Sequence, residues 1–369
     1  MKDLFYYEFK NGVKLKNRFV VAPMTTYSGN KDLTLSDEEE MYYRKRGESF
    51  GMVITAATAI SKHAQAFQNQ ISIKDETYLP SMKRLAKAIK EGGAKAILQL
   101  HHGGRMNAKG LYPNQDIVSA SSIKALRDHA PNPRALKTEE VYQVIDDFLQ
   151  AMKLAIKAGF DGIELHGANT YLIQQFFSPH SNRRNDEFGG SLEKRMTFPL
   201  MLIDGAIKVR NQYANRDFII GYRLSPEEYE TPGITIEDTL SFIEKIIERD
   251  LDYIHLSLGK YHQSSIRDKN DNEPIISKVK TIVGNQIPII GVGQIDDCDQ
   301  AIDALEYGYD LLAVGMASLA DPQFVGHIKD KQKPKKTIDD QSFLPQSLFE
   351  RLDRWKGIED RGFNLIEKK

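Results

Sequence analysis

The chain has 369 residues and a net charge of -1, with 50 Lys and Arg against 51 Asp and Glu. That balance argues against a nucleic-acid binder, and one cysteine excludes a disulfide framework, a four-cysteine zinc site or an iron–sulfur cluster. No apolar run reaches the roughly 18 residues of a membrane span, and the N-terminus lacks the apolar core of a secretory signal. The expectation is therefore a soluble, cytoplasmic, globular protein acting on small molecules, with no nucleic-acid or membrane partner; homo-oligomerisation is left open.

In chain order, the first signal is a hairpin, where Asn11-Gly12 turns between Phe9 and Leu15. Short β-branched runs follow at 19–22, 52–56, 95–100, 162–166, 218–224, 253–257, 287–291 and 311–315. Those starting at 52, 218, 287 and 311 are apolar over most of their length, the pattern of parallel strands buried on both faces. Amphipathic stretches lie between them. Thr138 is the predicted cap of one helix, with Glu139 and Glu140 at the positive end of its dipole. Val141, Ile145, Phe148, Leu149, Met152 and Ile156 form its apolar face, and Gly159 ends it. Asp296 and Asp297 open another helix, which Gly308 closes before the strand at 311. This alternation predicts an α/β fold, a (β/α)8 barrel over residues 1–330 with the hairpin capping its bottom. A doubly wound sheet shares the alternation and is the other option. The charged stretch 329–336 and an amphipathic helix at 347–358 read as a C-terminal extension, 331–369, packed on the barrel.

In a barrel the chemistry gathers at the C-terminal strand ends. Those ends hold Pro23-Met24-Thr25, Ala57-Thr58, Gln99 to His102, His166 with Asn169 and Tyr171, Arg223, Ser257, Gly293-Gln294 and Gly315-Met316. Donors dominate, and Glu164 alone supplies a nearby carboxylate, too few for an oxygen-ligated metal. Read as a dinucleotide fingerprint, Gly291-x-Gly293-x-x-Asp296 fails, because its third glycine is missing.

Four segments carry a resemblance: Leu15-Lys-Asn-Arg-Phe-Val-Val-Ala-Pro-Met24, Gln99-Leu-His-His-Gly-Gly-Arg105, Gly162-Ile-Glu-Leu-His-Gly-Ala-Asn169, and the long run from Tyr171 through Ser-Pro-His-Ser-Asn-Arg-Arg-Asn-Asp-Glu-Phe-Gly-Gly to Arg195. With 308–322, they resemble the Old Yellow Enzyme family of flavin oxidoreductases. The resemblance implies a single FMN-binding barrel, reduced by NADH or NADPH.

It also implies roles. Arg223 would face the negative charge that a reduced flavin gains, and Gln99, donor and acceptor at once, would match the pyrimidine edge. Thr25 would reach the O4 side, with main-chain contacts from Ala22, Pro23, Met24 and Ala57. The phosphate would lie on N–H groups of Gly293, Gln294, Gly315 and Met316. His166 and Asn169 would grip a substrate carbonyl oxygen, donors typically worth about 3 to 4 kcal/mol each. Tyr171 would protonate the substrate carbon, and Tyr27 would cover the bound ring. His101 and His102 are expected to diverge, and the 178–195 loop to be structural.

Two departures stand out: Met316 where the family often has arginine after strand eight, and Thr25 where some members have cysteine. Cys298 reads as packing. No resident metal is expected. The rival readings are a metal-dependent barrel hydrolase using Glu164 and His166, which share a strand face, and a non-catalytic flavin-binding barrel.

Overall fold

The structure, a computed structural model, describes residues 3–354 and 356–366. Eight parallel strands close into a barrel: β1 (Phe19–Val21), β2 (Met52–Ile54), β3 (Lys95–His101), β4 (Gly162–Gly167), β5 (Ile219–Leu224), β6 (Tyr253–Leu256), β7 (Ile289–Val292) and β8 (Leu311–Val314). Each pairs with the next in sequence, and β8 returns to β1 through Leu312 opposite Phe19. The doubly wound alternative is thereby set aside, because an open sheet would leave those two edges unpaired.

The strand boundaries follow the sequence reading closely, with two instructive shifts. The second strand stops at Ile54 because the Ala56 N–H turns to the Tyr43 hydroxyl at 2.7 Å. The seventh starts at Ile289, after Pro288, which has no N–H to give a ladder.

Helices cover the outside: α1 (Asp37–Ser49), α2 (Leu79–Glu91), α3 (Thr138–Ala158), the short α4 (Leu172–Phe177), α5 (Leu192–Tyr213), α6 (Ile236–Ile247), α7 (Ile275–Val283) and α8 (Cys298–Glu306), then α9 (Met316–Ala320), α10 (Phe324–Lys329) and α11 (Gln346–Asp353). One expected cap is corrected. Lys137, not Thr138, caps α3, its N–H donating to the Glu140 carboxylate at 2.7 Å. The Thr138 hydroxyl is engaged by Asp186 at 2.9 Å, a partner no local pattern reveals. Gly159 does end that helix, at φ +85°, where a side chain would be strained. Asp297 caps α8 by accepting the Gln300 N–H, and the Cys298 side chain packs against the core.

Period two divides each strand between two cores. Phe19, Val21, Val53, Leu98, Ile163, Ile220 and Ile254 face the helices. Val20, Met52, Ile54, Ile97, Ile219, Tyr253, Ile290 and Leu311 fill the barrel, joined by Phe9, Val13 and Leu15 of the N-terminal hairpin. The hairpin, with Gly12 at φ +87°, is therefore the floor. Gly221 permits this filling: a Cβ there would lie 2.0 Å from the Tyr253 ring.

Beyond 330 the chain lies against the barrel. Arg46 donates to the Ser342 carbonyl at 3.1 Å, Ser28 meets Ser347 at 2.6 Å, and Arg361 reaches both oxygens of Asp296 at 2.7 Å. The helix expected at 347–358 is α11 followed by a 3-10 segment, Lys356–Arg361; position 355 lies outside the described residues.

Candidate active site

Above the apolar floor the inward positions become polar. Gln99 on β3, Glu164 on β4, Arg223 on β5 and His255 on β6 form one buried layer. Glu164 accepts from Gln99 Nε2 at 2.7 Å and from His255 Nδ1 at 2.9 Å. Burial pushes the Glu164 carboxyl up, but His255, Arg223 and Gln99 outweigh it and hold it below the ordinary carboxylate value. Burial pulls His255 down, so a neutral ring carrying its proton on Nδ1 satisfies this geometry. Burial pulls the Arg223 guanidinium down and the charged Glu164 opposes it, so Arg223 stays cationic. Its Nη2 donates to Ser257 at 3.0 Å, while its buried Nε has no partner among the described residues.

Next to this layer lie the end of β4, where His166 pairs in register with Arg223, and the turn that follows. His166 is buried, and its Nδ1 is unpartnered among the described residues. Burial first, and then Arg223, hold it well below the usual imidazole value, so the ring is neutral. Asn169 and Thr170 both have positive φ, +56° and +64°. For a threonine that conformation costs about 1 to 3 kcal/mol, strain of the kind that clusters at functional sites. Ser225 accepts the Asn169 N–H at 2.9 Å, and the Asn169 amide donates to Ser257 at 3.0 Å. The turn delivers Tyr171 edge-on to His101 at 4.3 Å and to His166 at 5.0 Å, ring centre to ring centre. Burial, reinforced by Tyr27, raises the Tyr171 phenol above its ordinary value. It stays protonated.

At the rim, Ala22 and Ala57 are buried, whereas Pro23, Met24 and Thr25 are half-buried. The Ala57 carbonyl already accepts from Gln70 at 2.8 Å, leaving its N–H for a ligand. Tyr27, at φ +56°, meets Phe67 edge-on at 5.5 Å, and the Arg351 guanidinium lies 3.4 Å over its ring.

Glycines shape the opposite end. Gly293 has φ +117°, and a Cβ there would come within 2.7 Å of the Gly259 and Lys260 backbone. Gln294 follows at φ +56°. A Cβ on Gly315 would meet nothing nearer than Met24 Sδ at 3.8 Å, so that edge is open. The Met316 side chain is 6% exposed and belongs to the core, so its N–H is what it can offer a ligand.

These residues fit FMN. Arg223 has an unspent buried donor that could answer the negative charge of a reduced flavin, Glu164 orients the Gln99 amide, and glycines leave room at the opposite end for a phosphate. They do not fit a metal: both Glu164 oxygens are engaged by Gln99 and His255, and no metal-holding group of three His, Cys, Asp or Glu occurs among the described residues. No described helix is long and apolar enough to cross a membrane.

His101 and His102 do diverge, His101 toward Gln70 at 3.1 Å and His102 toward the Gly104 N–H at 3.1 Å. The 178–195 segment spends polar groups on structure: Asn182 bonds the Phe176 and Phe188 carbonyls, Arg195 those of Phe177 and Gly190, and Arg184 that of Ala120. Sequence reasoning overlooked His255, although period two from Tyr253 turns it inward. It also gave no role to Phe67, Lys260 or Arg351, for which no local signal exists.

The model of the NADH:flavin oxidoreductase / NADH oxidase family matches residues 5–335. A probable NADH-dependent flavin oxidoreductase, YqiG of Bacillus subtilis (strain 168), is 40% identical over 96% of this chain and 97% of its own. The NADH:fumarate oxidoreductase of Klebsiella pneumoniae (strain 342) is 44% identical over 89% of this chain, which spans 36% of that longer protein. Morphinone reductase, solved with tetrahydroNAD, superposes with a TM-score of 0.77 at 25% identity, covering 93% of this chain and 94% of its own.

Proposed function

Because the chain belongs to the NADH:flavin oxidoreductase / NADH oxidase family, the Old Yellow Enzyme family of FMN-dependent oxidoreductases, we propose that it acts as an ene-reductase. NADH or NADPH donates a hydride, the oxidised nucleotide leaves, and an electron-poor alkene, an enone or quinone-like acceptor, takes its place. When bound, FMN supplies the hydride relay between the two.

The observation that carries this reading is the grouping of neutral His166 at the end of β4, Asn169 on the strained turn that follows, and protonated Tyr171 just beyond it. His166 and Asn169 present N–H donors to one oxygen, so they favour a carbonyl that gains negative charge as its β-carbon accepts hydride. Tyr171, flanked by the His101 and His166 rings, holds a proton for the α-carbon. Arg223 favours negative charge on the cofactor side, and Glu164 fixes the Gln99 amide. One pocket serving both substrates gives a ping-pong cycle. The phosphate would rest on N–H groups of Gly293, Gln294, Gly315 and Met316.

Anaerobic titration tests this. NADH or NADPH should bleach the yellow protein, and an enone should restore the colour with one alkene reduced per nucleotide oxidised. Bleaching without reoxidation by any enone or quinone would make it a flavin-binding barrel that is not an ene-reductase. Colourless protein that takes up no FMN would overturn the reading.

A further inference from the structure

Beside the substrate-facing rings, a cavity of about 830 Å³ opens to solvent. Six cations line it, Lys31, Lys62, Lys74, Lys109, Arg127 and Arg351, and no Asp or Glu does. The chain as a whole carries a net charge of -1, so the basin is a local segregation of charge. None of the six pairs with a carboxylate among the described residues. Lys62 lies 5.0 Å over the Tyr112 ring and Arg351 3.4 Å over Tyr27, while Arg127 donates to the Met106 carbonyl at 2.9 Å. Exposed like charges repel, and leaving them uncompensated favours a ligand that brings several negative charges.

The basin is continuous with the site. Tyr27 and Phe67 form part of its wall, and Phe67 in turn stacks on His101 at 6.0 Å and meets Tyr171 edge-on at 6.1 Å. A molecule with its reacting end beside Tyr171 would therefore extend a second end among the cations. A small alkene is too short for that and carries at most one or two charges. A nicotinamide dinucleotide has a ring at one end and a diphosphate about the middle, with a further phosphate in NADPH.

We propose that this basin recognises the phosphates of the nicotinamide dinucleotide, with Lys62, Lys109 and Arg127 as its specificity-determining cations. The inference rests on the reading that NADH or NADPH is the reductant. The nucleotide's charge is matched in the basin while its ring reaches the flavin side, so phosphate recognition sets affinity and leaves the hydride step unchanged.

The test is anaerobic stopped-flow bleaching of FMN-loaded protein by NADH, NADPH and 1-benzyl-1,4-dihydronicotinamide, which keeps the ring but has no phosphate. Wild type is compared with Lys62→Met/Lys109→Met and with Arg127→Met, all at exposed positions. The expected result is a roughly tenfold rise in the half-saturating concentration of the dinucleotides in the double variant, equivalent to about 1.4 kcal/mol. Their limiting rate and the benzyl analogue's rate stay unchanged, and added salt weakens the dinucleotides alone. Dinucleotide half-saturation that does not move overturns the basin assignment, as does equal damage to the analogue. A shift confined to a carboxylated alkene acceptor in the second half-reaction would make the basin an acceptor site and also overturn it. If no nicotinamide compound bleaches the protein in any form, the parent reading fails first and takes this one with it.

Discussion

The Asn169 amide donates to the Ser257 hydroxyl across 3.0 Å, joining the turn after β4 to the end of β6. The donor proposed for the substrate oxygen thus has a resting partner, and Arg223 shares that hydroxyl from 3.0 Å. A ligand must win Asn169 away from Ser257. Replacing His166 and Asn169 by alanine should weaken phenol binding by about a hundredfold, two donors lost, while FMN stays bound. Ser257→Ala should instead tighten phenols a few-fold, since the competing acceptor is gone. Spectral titration with a phenol measures both, and weaker binding in Ser257→Ala would show that the hydroxyl holds Asn169 in place.

Tyr171→Phe should slow reoxidation by an enone by about a hundredfold or more and leave reduction by NAD(P)H unaltered. Because burial raises the phenol above its ordinary value of 10.0, the wild-type oxidative rate should not fall with rising pH until that value is passed. A decline setting in near neutrality would assign the proton to another group.

Lys260 follows Gly259 in the exposed loop after β6, and the Gly293 turn packs on its backbone. It is the candidate to replace the cation that Met316 lacks. Lys260→Met should weaken FMN binding to the apo-protein about tenfold. Met316→Leu should leave it unchanged, because the side chain at 316 is buried in the core and only its main-chain N–H is proposed to meet the phosphate. Fluorescence titration with FMN distinguishes these, and loss of affinity in Met316→Leu alone would reverse the assignment.

Glu39 is buried on α1, with one oxygen accepting from Thr26 at 2.6 Å and the other unpartnered among the described residues. Burial raises its carboxyl from 4.5 to about 7. A folded value above the unfolded one means stability fully present below about pH 4.5 and lost as pH rises to about 7. The loss is of order 3 kcal/mol at about 1.4 kcal/mol per unit. Glu39→Gln, which keeps the acceptor for Thr26, should remove it. Urea midpoints at about pH 5 and pH 8 should therefore diverge more in wild type than in the variant. Parallel profiles would mean that Glu39 is ionised in the fold.

The sequence by itself determined the strand–helix alternation and the list of residues at the C-terminal strand ends, while closure into a barrel waited on the pairing of β8 with β1. Strand period two carries Gln99, Glu164, His166 and Arg223 inward whatever the helices do, and Gly159 ends its helix because only glycine rests easily at φ +85°. What it could not determine were pairings between residues far apart in the chain. Thr138 looks like a cap until Asp186 takes its hydroxyl, and Glu164 looks like half of a metal pair until Gln99 and His255 claim its oxygens. Arg351 over Tyr27, and six cations from distant stretches of the chain around one cavity, exist only once the barrel closes. Local patterns are set by backbone sterics and periodicity within a few residues, whereas a side chain's partner is settled by which surfaces the closed sheet brings within hydrogen-bonding range.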